Sequence, residues 1–199
     1  MRAPLVRTAR LLLRPCVPED REAFVRTYER SWTTHLAPWF PRTDTSADFS
    51  AMFTRQLERS RDELANGSAC RLFAFDAKGG LAGAFNLNNI VRGNFQCANA
   101  GWWVSADHVR QGLATEGVRA ILRLAFLPQP ENGVPDGATS GLGLHRVQCA
   151  IIPRNQASLG VAAKAGFRRE GLAQRYLEIA GAWEDHVILA RTAEEGIPQ

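Results

Sequence analysis

The sequence predicts a mixed α/β (α+β) fold in which a mostly antiparallel central sheet is followed by a parallel strand pair flanked by helices. Three observations support this. First, Asn99 to Ser105 is aromatic and β-branched, a strand that runs into glycines at 112 and 117. Apolar residues then recur at 118, 121, 122, 125 and 126, one face of a helix. Second, the pattern repeats: His145 to Ile152 reads as a strand ended by Pro153, and Asn155 to Ala165 as a helix that stops at Gly166. Third, strand-like runs near 69–76 and 81–91 precede the one near 97–104, and such strands pair mostly antiparallel.

In chain order the pattern gives a strand near 9–15, helices near 18–30 and 46–66, and strands near 69–76, 81–91 and 97–104. A helix near 112–126, a strand near 144–152, a helix near 155–165 and closing strands near 167–179 and 183–191 complete it. No repeat is visible. Residues 128–143 hold three prolines and four glycines, too many for the interior of an element, and are expected to form a long, exposed, flexible insertion. A length of 199 residues suits a single domain, 1–199, with its core at about 7–192.

An apolar content of 45% against 22% charged residues is that of an ordinary globule, and no apolar run is long enough for a membrane span. The first residues lack a secretory h-region, so a cytoplasmic location is expected. Cys16, Cys70, Cys97 and Cys149 lack Cys-x-x-Cys spacing and histidines at ligand spacing, so neither a metal nor a disulfide frame is indicated. The net charge of +4 suits a polyanionic ligand, but Arg and Glu are interleaved rather than run together, and direct nucleic-acid binding is not expected.

The chemistry concentrates at two helix starts. A helix N-terminus has unpaired amide N–H groups and the positive end of the peptide dipole, and the small residues Gly112 and Ala114 let an anion approach that backbone. Neither Gly-x-x-x-x-Gly-Lys-Ser/Thr nor Gly-x-Gly-x-x-Gly is present. At the second start Asn155 occupies an N-cap position and Ser158 lies one turn along the same face. Side by side, the two units would make a cleft rimmed by helix N-termini.

Arg110-Gln-Gly-Leu-Ala-Thr115 together with Asn155-x-x-Ser158, Lys164-x-Gly-Phe167 and Glu170-Gly171 resembles the GNAT superfamily of acetyl-CoA-dependent N-acetyltransferases. Thr8 to Pro15, Pro18-Glu-Asp20, Leu36-Ala-Pro-Trp39, Asn89 to Phe95 and Tyr176 to Val187 are similar to its RimJ/RimL-like branch, closest to RimJ, which acetylates ribosomal-protein N-terminal alanine. The resemblance covers about residues 7–192.

It implies a GNAT-type sheet whose parallel pair is splayed, with acetyl-CoA as co-substrate and no metal. The backbone of Arg110, Gln111, Gly112, Leu113, Ala114 and Thr115 would hold the diphosphate, and freed backbone groups at Trp103 and Val104 would pair with the pantetheine amides. Trp102 and Trp103 face opposite sides of a strand, so at least one is expected in the core. Asn155 would reach the pantetheine arm, and Ser158 would stabilise the departing thiolate. The tyrosine that many relatives carry as the acid is Ala162 here. A glutamate that relatives carry in the splayed strand is Asn99, and another aligns with Leu177, leaving Glu178 and Glu116 as candidate bases. A peptide α-amine with a pKa of about 8 is already partly neutral at cytoplasmic pH, so a water chain could take the remaining proton.

The acceptor is expected between Ser31–Pro41 and Ala180–Asp185, where Trp32, Trp39 and Trp183 could wall a peptide pocket or plug the end of the core. His35 and His186 fall in these segments and read as structural. The implied reaction is direct transfer to the N-terminal α-amine, alanine, of a ribosomal or other protein, by a monomer or homodimer. The alternatives are a small-molecule amine (antibiotic or polyamine) as acceptor, or a non-catalytic CoA-binding sensor. Residues 31–45 carry only Asp44 as an acid, which argues against a polycationic acceptor.

Overall fold

The computed structural model describes residues 5–40, 48–130, 135 and 137–196. Eight strands form one sheet: β1 (Val6–Arg7), β2 (Leu12–Arg14), β3 (Cys70–Phe75), β4 (Leu81–Val91), β5 (Cys97–Val104), β6 (Arg146–Ile151), β7 (Arg168–Ile179) and β8 (Ala182–Thr192). Their order is β1-β2-β3-β4-β5-β6-β8-β7. Each neighbouring pair is antiparallel except β5 and β6, which run parallel. The parallel pair needs a crossover, and α3 (Leu113–Phe126) supplies it.

Helices cover both faces, so the middle strands are apolar on both sides. On one face α3 and α4 (Gln156–Lys164) pack on a core that includes Phe85, Leu87, Val118, Ile121, Val147 and Leu189. On the other, α1 (Arg21–Ser31) and α2 (Phe49–Asn66) enclose Phe24, Tyr28, Phe53, Phe73 and Trp103. That second core is largely aromatic, with Phe24 stacked 5.0 Å from Tyr28 and Tyr28 edge-on to Trp103 at 5.1 Å. Trp102 and Trp103 accordingly face opposite cores.

The parallel pairing is short. It runs from Cys97 opposite Arg146 to Asn99 opposite Gln148 and then stops, although β5 continues to Val104 and β6 to Ile151. The two strands therefore part beyond Asn99, as the family resemblance implies.

Two expectations need correction. The strand near 9–15 is two short strands, because Thr8 N–H donates to Leu11 C=O and folds the chain into a hairpin. The loop expected after the first helix is a π turn, Trp32–Leu36, followed by a 3-10 turn, Ala37–Trp39. The described residues of the expected insertion make hydrogen bonds to α3. Leu142 N–H donates to Leu124 C=O and Gly143 N–H to Leu127 C=O, while Arg123 donates to the Gly137 and Ala138 carbonyls. Residues 131–134 and 136 of that stretch, Pro41 and Asp44 of the acceptor segment, and the expected helix start at 46 lie outside the described residues.

All four cysteines are free; Cys16, Cys70 and Cys149 are buried. Burial pushes the Cys70 and Cys149 thiols up to about 12, which leaves them unreactive. No helix among the described residues is long and apolar enough to cross a membrane.

Candidate active site

A cavity of about 830 Å³ opens where β5 and β6 part. Its walls come from the end of β5 (Trp102, Trp103, Val104), the start of α3 (Arg110, Gly112 to Thr115), the start of α4 (Asn155, Ser158), the π turn (Thr34, His35) and the 3-10 turn after it (Trp39). The structure thus brings both predicted helix starts to one cleft.

The α3 end presents open backbone N–H groups of the kind that bind anions. Arg110 and Gly112 take left-handed backbone, with φ of 62° and 81°, a turn in which successive N–H groups converge. No side chain caps the helix, so its first amides are left for a ligand. Gln111 is turned aside: its amide donates to Asp107 C=O at 2.9 Å, and its carbonyl accepts from Arg10 at 2.8 Å. Arg110 and Lys164 line the cavity and, among the described residues, no Asp or Glu does, which favours a polyanion.

Two hydrogen-bonded clamps fix this turn. Glu116 accepts from Thr8 Oγ1 at 2.5 Å, Arg10 N–H at 2.9 Å and Arg10 Nε at 2.7 Å. Burial would raise the Glu116 carboxyl, but the bonds from Thr8 and Arg10 outweigh it and hold the group below the ordinary glutamate range. On the other side, His108 Nδ1 lies 2.7 Å from Ser105 Oγ and its Nε2 lies 3.0 Å from Asp76 Oδ2. Burial would raise Asp76 as well, and the His108 hydrogen bond with two backbone N–H donors brings it down instead.

Backbone direction in β5 corrects one expectation. Ser105 N–H donates to Ala82 C=O, and the Trp103 carbonyl lies so close over Gly83 that an added Cβ there would approach it to 2.2 Å. Odd-numbered residues therefore turn their backbone to β4, and alternation points Trp102 and Val104 into the gap. The Trp103 backbone is thus turned away from the gap in which its role was expected, and the Trp102 backbone faces it, while Trp103 lines one wall. The Val104 carbonyl already meets His35 Nε2 at 3.1 Å. His35 was read as structural in the sequence; the π turn that carries it to the wall has no local signal there.

At α4, Asn155 Oδ1 caps the helix by accepting from Ser158 N–H at 3.1 Å. Ser158 lines the cavity, and Ala162, one turn further along the helix, is wholly buried. The remaining candidates lie apart. Glu178 is exposed on β7 opposite Trp183, outside the cavity, and Glu116 is committed to its clamp. Trp32 packs into the aromatic core against Tyr28, Phe40 and Phe49 instead of walling the site. Trp39 does line it, with the Arg154 guanidinium 5.6 Å from its ring and paired to Glu184 at 2.7 Å. Trp183 is 64% exposed at the β7–β8 hairpin. That hairpin still adjoins the acceptor segment, since Ala180 N–H donates to Phe40 C=O at 3.1 Å. His186 is buried, its Nδ1 2.9 Å from Glu184 C=O.

Comparison with known proteins accords with this geometry. The family model described as "Acetyltransferase (GNAT) domain" matches residues 10–168. The [Ribosomal protein uS5]-alanine N-acetyltransferase of Escherichia coli is 29% identical over 193 residues, covering 96% of this chain and 92% of that protein. Among solved structures, Mycobacterium smegmatis RimJ in complex with CoA-disulfide superposes with a TM-score of 0.80 at 30% identity, covering 95% of this chain and 84% of that one. The ribosomal-protein-S5-alanine acetyltransferase of Vibrio fischeri gives 0.78 at 26% identity, covering 94% and 96%. With four-fifths of its length matched by the family model and its strands parted over an uncapped helix start, the chain belongs to the GNAT family of acetyltransferases.

Proposed function

We propose that this chain transfers the acetyl group of acetyl-CoA directly to the N-terminal α-amine of a protein, an alanine on a ribosomal protein being the favoured acceptor, in the cytoplasm. The observation that carries the reading is the single cleft shared by the parted β5–β6 edge and the starts of α3 and α4.

Acetyl-CoA, when bound, supplies a thioester. The residues of the cleft account for what else the reaction needs. The amides from Gly112 to Thr115, with Arg110 beside them, bind the diphosphate. The gap-facing backbone of Trp102 and the Val104 N–H orient the pantetheine arm by strand addition, and Asn155 lines the same channel. Ser158 Oγ donates to the sulfur as charge develops there. These residues leave little for a purely sensory role.

The acceptor side supports a peptide over a polyamine. A polycation needs carboxylates, and none among the described residues lines the cavity, whereas Trp39, Phe40 and Trp103 give an apolar wall suited to a short side chain beside one amine. The test is acetyl-CoA consumption over a panel of peptides that differ in the first residue, with an aminoglycoside and spermidine as controls. Turnover fastest with alanine-first peptides is expected; turnover confined to the small amines would overturn the proposed acceptor.

A further inference from the structure

We propose that Trp39 sets the size limit on the acceptor's first side chain, and that Arg154, held by Glu184, is the positioning residue that fixes the Trp39 ring. The inference rests on the acetyl-transfer reading above and names the residues that would make the transfer selective.

Three elements converge here. Trp39 ends the 3-10 turn, Arg154 lies in the turn between β6 and α4, and Glu184 is in β8. The Arg154 guanidinium carbon stands 5.6 Å from the centre of the Trp39 ring, and its Nη1 pairs with Glu184 at 2.7 Å. Trp39 lines the cavity whereas neither Arg154 nor Glu184 does, so the ion pair acts on the site through the ring.

The ring belongs to the acceptor side of the cleft. The anion end is the start of α3, and Trp39 is tied instead to the start of α4: Arg154 directly precedes Asn155, whose Oδ1 accepts from Ser158 N–H. That is where the carbon–sulfur bond would break. The neighbouring Phe40 carbonyl accepts from Ala180 N–H at 3.1 Å, which brings the β7–β8 hairpin to the same wall.

What holds the ring decides whether it can act as a limit. Phe40 is anchored in the aromatic core, 6.1 Å from Tyr28 and 5.8 Å from Trp32. Among the described residues Trp39 has no such ring partner, and the guanidinium over its face takes that part. An arginine can stack its plane on an aromatic ring while its edge donates to a carboxylate. A ring held in this way selects by clash, admitting a methyl group and turning away a branched or aromatic side chain.

The test compares kcat/KM for an alanine-first and a leucine-first peptide on the full chain. Wild type should favour alanine, and Trp39→Ala should lower the alanine-over-leucine ratio by about tenfold or more. The Arg154 side chain is half-exposed, so Arg154→Ala should lower the ratio less, by about threefold, with the Kd for acetyl-CoA by calorimetry within threefold of wild type. Added to Trp39→Ala, it should change the ratio no further, because it acts through that ring. Should Trp39→Ala fail to fold, Arg154→Ala and Glu184→Ala, both outside the aromatic core, decide by the same ratio. A ratio within twofold of wild type in the folded variants, or a wild type that turns over both peptides equally, would overturn the size limit. Equal effects of Arg154→Ala with and without Trp39 would overturn the positioning role. Should the wild type acetylate only small amines, the peptide reading fails and the same ratio for ethylamine over benzylamine decides Trp39. Turnover of no amine at all would overturn both readings together.

Discussion

Gly117 in α3 lies directly against the ring of Phe85 in β4, where an added Cβ would come within 2.2 Å of Cζ. The contact sets how deeply α3 sinks onto the sheet, and with it the position of the helix start that lines the cleft. Gly117→Ala should destabilise the fold by about 1–3 kcal/mol through overpacking and weaken acetyl-CoA binding as the helix start is pushed out. Thermal melts and calorimetry check both. Adding Phe85→Leu should recover part of each loss; a double variant no better than the single one would show that this contact does not set the helix position.

The Glu116 clamp predicts a pH dependence of stability. Its folded-state pKa is depressed, so its contribution is fully present above the ordinary glutamate range and is lost as pH falls through the lower folded value. Glu116→Gln should cost about 1 kcal/mol at neutral pH and flatten the wild type's loss of stability on acidification. Urea unfolding midpoints from neutral to acidic pH report this. Because Arg10 also holds Gln111 C=O, the variant should raise the Kd for acetyl-CoA while leaving kcat nearly unchanged.

Ser158→Ala should separate binding from chemistry. The thiolate exists only as the carbon–sulfur bond breaks, so the hydroxyl acts mainly in the transition state. A fall in kcat of about 10²-fold is expected, with the Kd for acetyl-CoA within threefold. Steady-state kinetics alongside calorimetry would show it. Equal losses in both quantities would make Ser158 a binding residue only.

What the sequence reveals follows from the range of each signal. Strand and helix patterns are local, so β4, β5, α3 and the pair at Asn155 and Ser158 are legible within a residue or two. The anion turn is legible because Gly112 and a helix start are themselves local features. The direction of each backbone group in β5 depends on pairing with β4, so the exchange of Trp102 for Trp103 waits on Gly83 and Ala82. His35 is hidden for the same reason, since its partner Val104 is 69 residues away. Trp32 and Trp39, seven residues apart in one aromatic stretch, go to core and cavity respectively because the π turn between them shifts the helical phase.

The central claim, that the parted β5–β6 edge and the start of α3 form the acetyl-CoA site, is tested most directly by titration calorimetry of the purified chain with acetyl-CoA. One site per chain with a Kd on the order of micromolar is expected, weakened in Gly112→Val, where a side chain must enter left-handed backbone at the helix start. No heat at protein concentrations well above that range, or unchanged affinity in Gly112→Val, would contradict it.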